Sequence, residues 1–91
     1  MHLLLHYEFV EGMLERRAPH REAHLALIAA SHRTGEIVMA GAVGDPPTGG
    51  LIVFRGVDRE HVEAFAEADP YVTAGLVTSR RVEPWRVVAG G

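Results

Sequence analysis

Hydrophobic and polar positions alternate over His2–Val10. Leu3, Leu5, Tyr7 and Phe9 share one side, and His2, Leu4, His6 and Glu8 share the other. That period of two is a strand, with its first side suited to a covering layer of helices. Glu11–Ala18 is a short connection with room for one helical turn, and the period then changes. Pro19–Thr34 reads as a helix, Pro19 suiting its start and Gly35 its C-terminal cap. Glu36–Val43 reads as a buried strand, Gly44–Gly50 is dense in turn residues, and Leu51–Arg55 is the next strand, which makes a hairpin. A second helix runs from a capping Asp58 to Asp69, where Pro70 stops it. Tyr71–Gly75 is a turn or an extra half-turn, and Leu76–Val88 is a last long strand that Pro84 marks as a sheet edge.

The order βαββαβ predicts an α+β fold of ferredoxin-like type: a four-stranded antiparallel sheet with two helices on one face. Leu4 and other apolar groups would then lie on the open face, where a homodimer packing sheet against sheet would cover them. A chain of 91 residues buries only about 60% of its unfolded surface, so a partner subunit would help stability.

Two polar residues stand on apolar faces. On a helix with His24 at zero, Leu27 and Ile28 lie at roughly −60° and +40°, with His20 and Ser31 close by. Arg21 borders that arc, and Glu22, Ala26 and Arg33 take the far side. His24 is therefore central to a core-facing stripe and needs a partner, because burying an unpaired polar group costs about 1–3 kcal/mol. In the second helix Val62, Phe65 and Ala66 share a face, and Asp69, seven residues after Val62, falls on it. It also sits at the negative end of the helix dipole, unfavourable for a carboxylate unless a donor faces it. The expectation is that His24 and Asp69 meet in a shared pocket, His24 acting as general acid or base. The plainer readings are a core histidine bonded to a carbonyl and an Asp-Pro helix stop serving a turn. Arg17 and Arg21 could hold an anionic substrate or be solvated, with solvation favoured for Arg21. Tyr71 could donate its hydroxyl or merely pack. His2, His6, His32 and His61 read as surface or strand residues, and Trp85 as interface or core.

Composition removes several classes. The formal net charge is −3 and no basic run stands out, which argues against nucleic-acid binding. Without cysteine there is no disulfide or thiolate chemistry. No segment approaches ~18 apolar residues, so nothing spans a membrane. The N-terminal stretch lacks a basic region and a cleavage site, and a cytoplasmic location is expected. His20 and His24 have the i, i+4 spacing of a zinc pair, but Glu22 of His20-Arg21-Glu22-Ala23-His24 points about 160° away from His24, and Asp69 is the one residue that could supply a third ligand. No metal is expected. Gly41-Ala42-Val43-Gly44 is not a phosphate loop and no strand–GxGxxG–helix unit exists, so nucleotide binding is not expected.

These residues resemble the YciI-like (YCII-related) family over nearly the whole length, as one domain spanning 1–91. Leu14-Glu15-Arg16-Arg17 followed by Arg21-Glu22-Ala23-His24-Leu25 is similar to the family's L-E-[KR]-R…R-x-x-H-L block. Ala40-Gly41 matches its A-G strand end, and Ala68-Asp69-Pro70-Tyr71-Val72 with Ala74-Gly75 matches A-D-P-Y-V-x-A-G. Val82-Glu83-Pro84-Trp85 resembles its closing V-x-P-[FW]. The resemblance implies a dimeric α+β barrel of ferredoxin-like subunits and an active site using a His–Asp pair, carried here by His24 and Asp69. It also implies cofactor-free action on small, often aromatic or lactone-like molecules. Two departures bear on substrate: many members have Pro where this chain has Ala42, and a longer loop than Gly44–Gly50.

The expectation is thus a small homodimeric enzyme-like protein doing proton-transfer chemistry of lyase, isomerase or dehydrohalogenase type on a small molecule. His24 is the base, Asp69 orients it, and Arg17 and Tyr71 hold the substrate. The competing class is a non-catalytic dimeric binding module in which the pair secures the fold. A cavity between sheet and helices onto which His24 opens separates the two.

Overall fold

The computed structural model describes residues 1–90. Strand β1 (His2–Phe9) leads through helix α1 (Met13–Arg16) and a 3-10 turn (Ala18–His20) into helix α2 (Arg21–Arg33). Strands β2 (Ile37–Val43) and β3 (Gly49–Arg55) follow, then helices α3 (Arg59–Ala68) and α4 (Pro70–Thr73) and strand β4 (Val77–Trp85). The sheet has the order β2-β3-β1-β4 with every neighbouring pair antiparallel, the ferredoxin-like arrangement. β4 pairs only with β1, so Pro84 is on an edge strand, as its missing N–H requires.

The alternation along β1 decides the layers. Leu5 and Tyr7 are buried against Ile52 and Phe54 of β3, Val82 of β4, and Val62, Phe65 and Ala66 of α3, with Leu27 and Ile28 of α2 packed on the same cluster. Each large side chain buried in this way contributes about 1.5–3 kcal/mol. No helix covers the opposite face, which carries Leu4, Leu51 and Val53 with Met39 and Val43. At one point the strands approach closely: a Cβ on Gly49 would lie 2.5 Å from the carbonyl oxygen of Tyr7, so only glycine fits.

Element boundaries differ from the expected ones for local reasons. The helix expected from Pro19 begins at Arg21, because Ala18–His20 makes a tighter turn with the His20 N–H on the Arg17 carbonyl at 2.8 Å. β3 starts at Gly49, two residues earlier than expected, and β4 stops at Trp85. β2 was expected to be buried, and only Ile37 is. β2 is the other sheet edge, and a register shift between Ile37 and Met39 turns Met39 and Val43 toward the helix-free face.

Candidate active site

Among the described residues, His24 and Asp69 are the buried charged or polar side chains, 8% and 0% exposed. Their meeting is built locally. Pro70 disfavours helical backbone in the residue before it, so Asp69 leaves α3 with an extended ψ of 123°. Pro70 then occupies the first position of α4, and Asp69 becomes its N-cap, with the Tyr71 N–H donating to Oδ1 at 3.0 Å. Asp69 is thus both the end of one helix and the start of the next, and its side chain serves the turn as the Asp-Pro reading expected while also meeting His24. From the core-facing stripe of α2, His24 brings Nδ1 to 2.8 Å from the same Oδ1.

The other carboxylate oxygen is held by a residue that sequence reasoning placed only on the inward side of a strand. The Tyr7 hydroxyl donates to Oδ2 at 2.8 Å. Burial first, then the charge of Asp69 and the hydrogen bond to it, push the Tyr7 phenol far above its ordinary value, with a smaller opposing effect from Arg80. Tyr7 is therefore a fixed donor. A polar tip on an otherwise apolar inward face was the available signal, since a buried hydroxyl must find a partner. Three donors on one buried carboxylate offset the cost of desolvating it.

Since Asp69 accepts at Nδ1, the neutral His24 ring carries its proton there and leaves the Nε2 lone pair free, with no partner for Nε2 among the described residues. The ring stacks on Tyr71 at a centroid distance of 3.6 Å and an interplanar angle of 7°. A phenol face so close attracts a positive imidazolium when one forms. Tyr71 itself is buried, its hydroxyl shielded and without a partner among the described residues.

His24 borders a cleft of about 370 Å³ between α2 and the helix-side face of β2 and β3. Arg17, Arg21 and Tyr71 line it, so all four sequence-predicted site residues are gathered here, although Asp69 sits behind His24 and not on the wall. Arg21, which had been favoured as solvated, is exposed but belongs to the rim; Arg17 is half-buried. The floor is open because its side chains are small: Ala40, Ala42 and Gly50. Pro47, from the turn between β2 and β3, also borders it. The remaining histidines lie elsewhere: His6 pairs with Glu83 at 2.7 Å, and His61 with Glu36. Among the described residues no group of three or more His, Cys, Asp or Glu could hold a metal ion, and no helix is long and apolar enough to cross a membrane.

The chain is similar in sequence and in fold to known proteins. The family model described as YCII-related domain matches residues 1–86. Protein YciI of Escherichia coli O6:H1 and Protein YciI of Shigella flexneri are each 34% identical over 84 residues, covering 82% of this chain and 86% of theirs. Among solved structures, the 5-chloro-2-hydroxyhydroquinone dehydrochlorinase of Burkholderia phenoliruptrix AC1100, in complex with 2,5-dihydroxybenzoquinone, superposes with a TM-score of 0.79. It is 26% identical, and the match covers 94% of both chains.

Proposed function

We propose that this chain, which belongs to the YCII-related domain family, is a cofactor-independent acid–base enzyme of lyase type acting on a small hydroxylated organic molecule. The supporting observation is the geometry of one ring. Asp69 holds Nδ1 of His24, which leaves Nε2 unpaired on a residue that lines the cleft. A histidine kept only for stability would have no need of that opening. The structural neighbour that acts on a chlorinated hydroxyhydroquinone is itself an enzyme, which favours the elimination class over isomerisation.

In this reading Nε2 takes a proton from a hydroxyl or from a carbon next to a carbonyl. The electron pair left behind forms a new C=O or C=C bond, and a leaving group such as halide departs with its own bonding pair from a tetrahedral carbon at the far end of the conjugated system, which on an aromatic ring has first taken up a proton as the ring ketonises. The proton then passes from Nε2 to water. Asp69 keeps the ring in the productive tautomer and stabilises the imidazolium, while the Tyr7 hydroxyl keeps Asp69 in place. Tyr71 braces the ring from one face and gives the substrate only an edge of its ring on the lining, and Arg17 holds the substrate. A positioned base of this kind is worth about 10²–10⁴ in rate. The enzyme would be a cytoplasmic homodimer formed through the open sheet face, where Met39 is 63% and Val43 52% exposed in the isolated chain.

The test is halide release from a panel of chlorinated hydroxyhydroquinones, 5-chloro-2-hydroxyhydroquinone first. His24→Ala should lose at least about 10² in rate with an unchanged far-UV spectrum. Full activity in that variant ends the base assignment, and tight binding of the panel without any turnover by the wild type returns the protein to the class of binding modules.

A further inference from the structure

The charges around the cleft do not match the charge of the whole molecule. The chain has more acidic than basic residues, 12 Asp and Glu against 9 Lys and Arg. Yet no carboxylate-bearing side chain lines this cleft, while two guanidinium groups, Arg17 and Arg21, do. Three arginines elsewhere are engaged, Arg80 with Glu67 at 2.7 Å, Arg81 with Glu83 at 3.3 Å and Arg59 with the Val82 carbonyl at 3.0 Å, but none of those three faces the cleft. Among the described residues no carboxylate lies within 4.0 Å of either Arg17 or Arg21. Asp69 forms no ion pair with either; its oxygens accept from His24, Tyr71 and Tyr7.

Their placement is also specific. Arg21 precedes His24 by one turn of α2, so the two project from neighbouring points of one helix face. Arg17 sits just before the 3-10 turn that feeds this helix, its own N–H on the Met13 carbonyl at 2.9 Å, which fixes its backbone relative to α2. Half-burial removes water from Arg17 without supplying a counter-charge. Beyond the cationic rim the walls are apolar, with Phe9, Leu25, Ile28 and Ile52 around the small floor residues. The lining therefore presents cationic groups, a proton acceptor at His24 Nε2, and between them room for a ring or short carbon skeleton.

We infer that the cleft binds a small organic carboxylate, its acid group held by Arg17 and Arg21 and its hydroxyl-bearing skeleton lying against His24. The inference rests on the cleft being the substrate site proposed above, and it narrows the substrate to an acid. Guanidinium suits this task because its planar fork matches both oxygens of a carboxylate. A carboxylate on the rim also sets the direction of the ligand, so that the reacting hydroxyl, not the acid group, meets the base.

The experiment compares 3-hydroxybenzoate with its neutral isostere 3-hydroxybenzamide by NMR titration of the full-length protein at low ionic strength. The wild type should bind the acid at least about tenfold more tightly than the amide, the scale of one charge-assisted hydrogen bond. Arg17→Gln and Arg21→Gln should each reduce that preference, and the double variant should bring the ratio close to one. Because the readout is a ratio within one protein, partial unfolding of a variant cancels. Equal affinities in the wild type, a preference that survives both substitutions, or no binding of the acid overturns the inference. His24→Gln separates it from the catalytic reading: the preference should persist there even where turnover is lost. Conversely, turnover of neutral rings without an acid preference would remove the carboxylate site and leave the proton-transfer chemistry standing.

Discussion

Replacing Tyr7 by Phe removes one oxygen from a fully packed site and has a calculable signature in pH. The Tyr7 ring is 4% exposed and its hydroxyl donates to Oδ2 of a carboxylate that is itself 0% exposed. Loss of a hydrogen bond to a buried charge costs about 1.5–3 kcal/mol, a large share of the stability of a small domain. Above pH 10 the penalty should shrink. The phenol titrates far above its ordinary 10.0 in the folded chain, because burial and the Asp69 charge oppose a phenolate. The unfolded chain releases its proton near pH 10 while the folded chain keeps it. The wild type therefore has the full benefit of Tyr7 below pH 10 and loses it as pH rises, by about 0.4 kcal/mol at pH 10 and about 1.4 kcal/mol at pH 11. Tyr7→Phe has no such proton to release. Urea unfolding of both proteins at fixed concentration should show a gap of about 2 kcal/mol at pH 8 narrowing to below about 1 kcal/mol at pH 11. A gap that is absent at pH 8, or that stays constant to pH 11, would refute the idea that Tyr7 is a buried donor to an ionised Asp69.

Three further outcomes follow from other parts of the structure. Gly49→Ala should destabilise by about 1–3 kcal/mol, because its Cβ would meet the Tyr7 carbonyl oxygen at 2.5 Å and push β1 from β3; an unchanged Tm would contradict that close approach. Ala42→Leu should leave stability within about 0.5 kcal/mol, since the position is exposed, yet weaken ligand binding at least about tenfold by filling the cleft floor; titration with 3-hydroxybenzoate reads the effect, and undiminished affinity would place the ligand elsewhere. Met39→Lys is harmless to an isolated chain in which Met39 is 63% exposed, but should dissociate a dimer formed on that face. Sedimentation velocity distinguishes the two, and an unaffected dimer would move the interface off the sheet.

Periodicity made the architecture readable, because two kinds of regular element must each bury one face. The alternation in His2–Phe9 identified the side that carries Leu5 and Tyr7, and the turn-rich Gly44–Gly50 separated two strands of a hairpin. The His24–Asp69 contact was readable for the same reason: each residue is polar at a position whose neighbours on the face are apolar, and a buried polar group requires a partner. What the chain alone did not reveal depends on distances between elements. Tyr7 reaches Oδ2 from 62 positions away along the chain, a fact of packing and not of spacing. Arg21 lies at the border of the apolar arc by its angle on the helix, with solvation favoured, and it is exposed; the cleft still reaches out to it because Ala40, Ala42 and Gly50 leave the sheet side hollow. The exposure of β2 was missed because an apolar run reads as buried, whereas an edge strand with a register shift turns part of it outward.

The most direct test of a His24 poised against the cleft is the long-range ¹H–¹⁵N NMR spectrum of its ring, which distinguishes the two neutral tautomers. The geometry predicts a neutral ring protonated at Nδ1, where Asp69 accepts at 2.8 Å, with an unprotonated Nε2 whose resonance moves when 3-hydroxybenzoate is added. In Asp69→Ala the ring should lose that fixed tautomer. A wild-type ring protonated at Nε2 would mean that Nδ1 is the acceptor and Asp69 the protonated partner, and His24 could not then serve as the base.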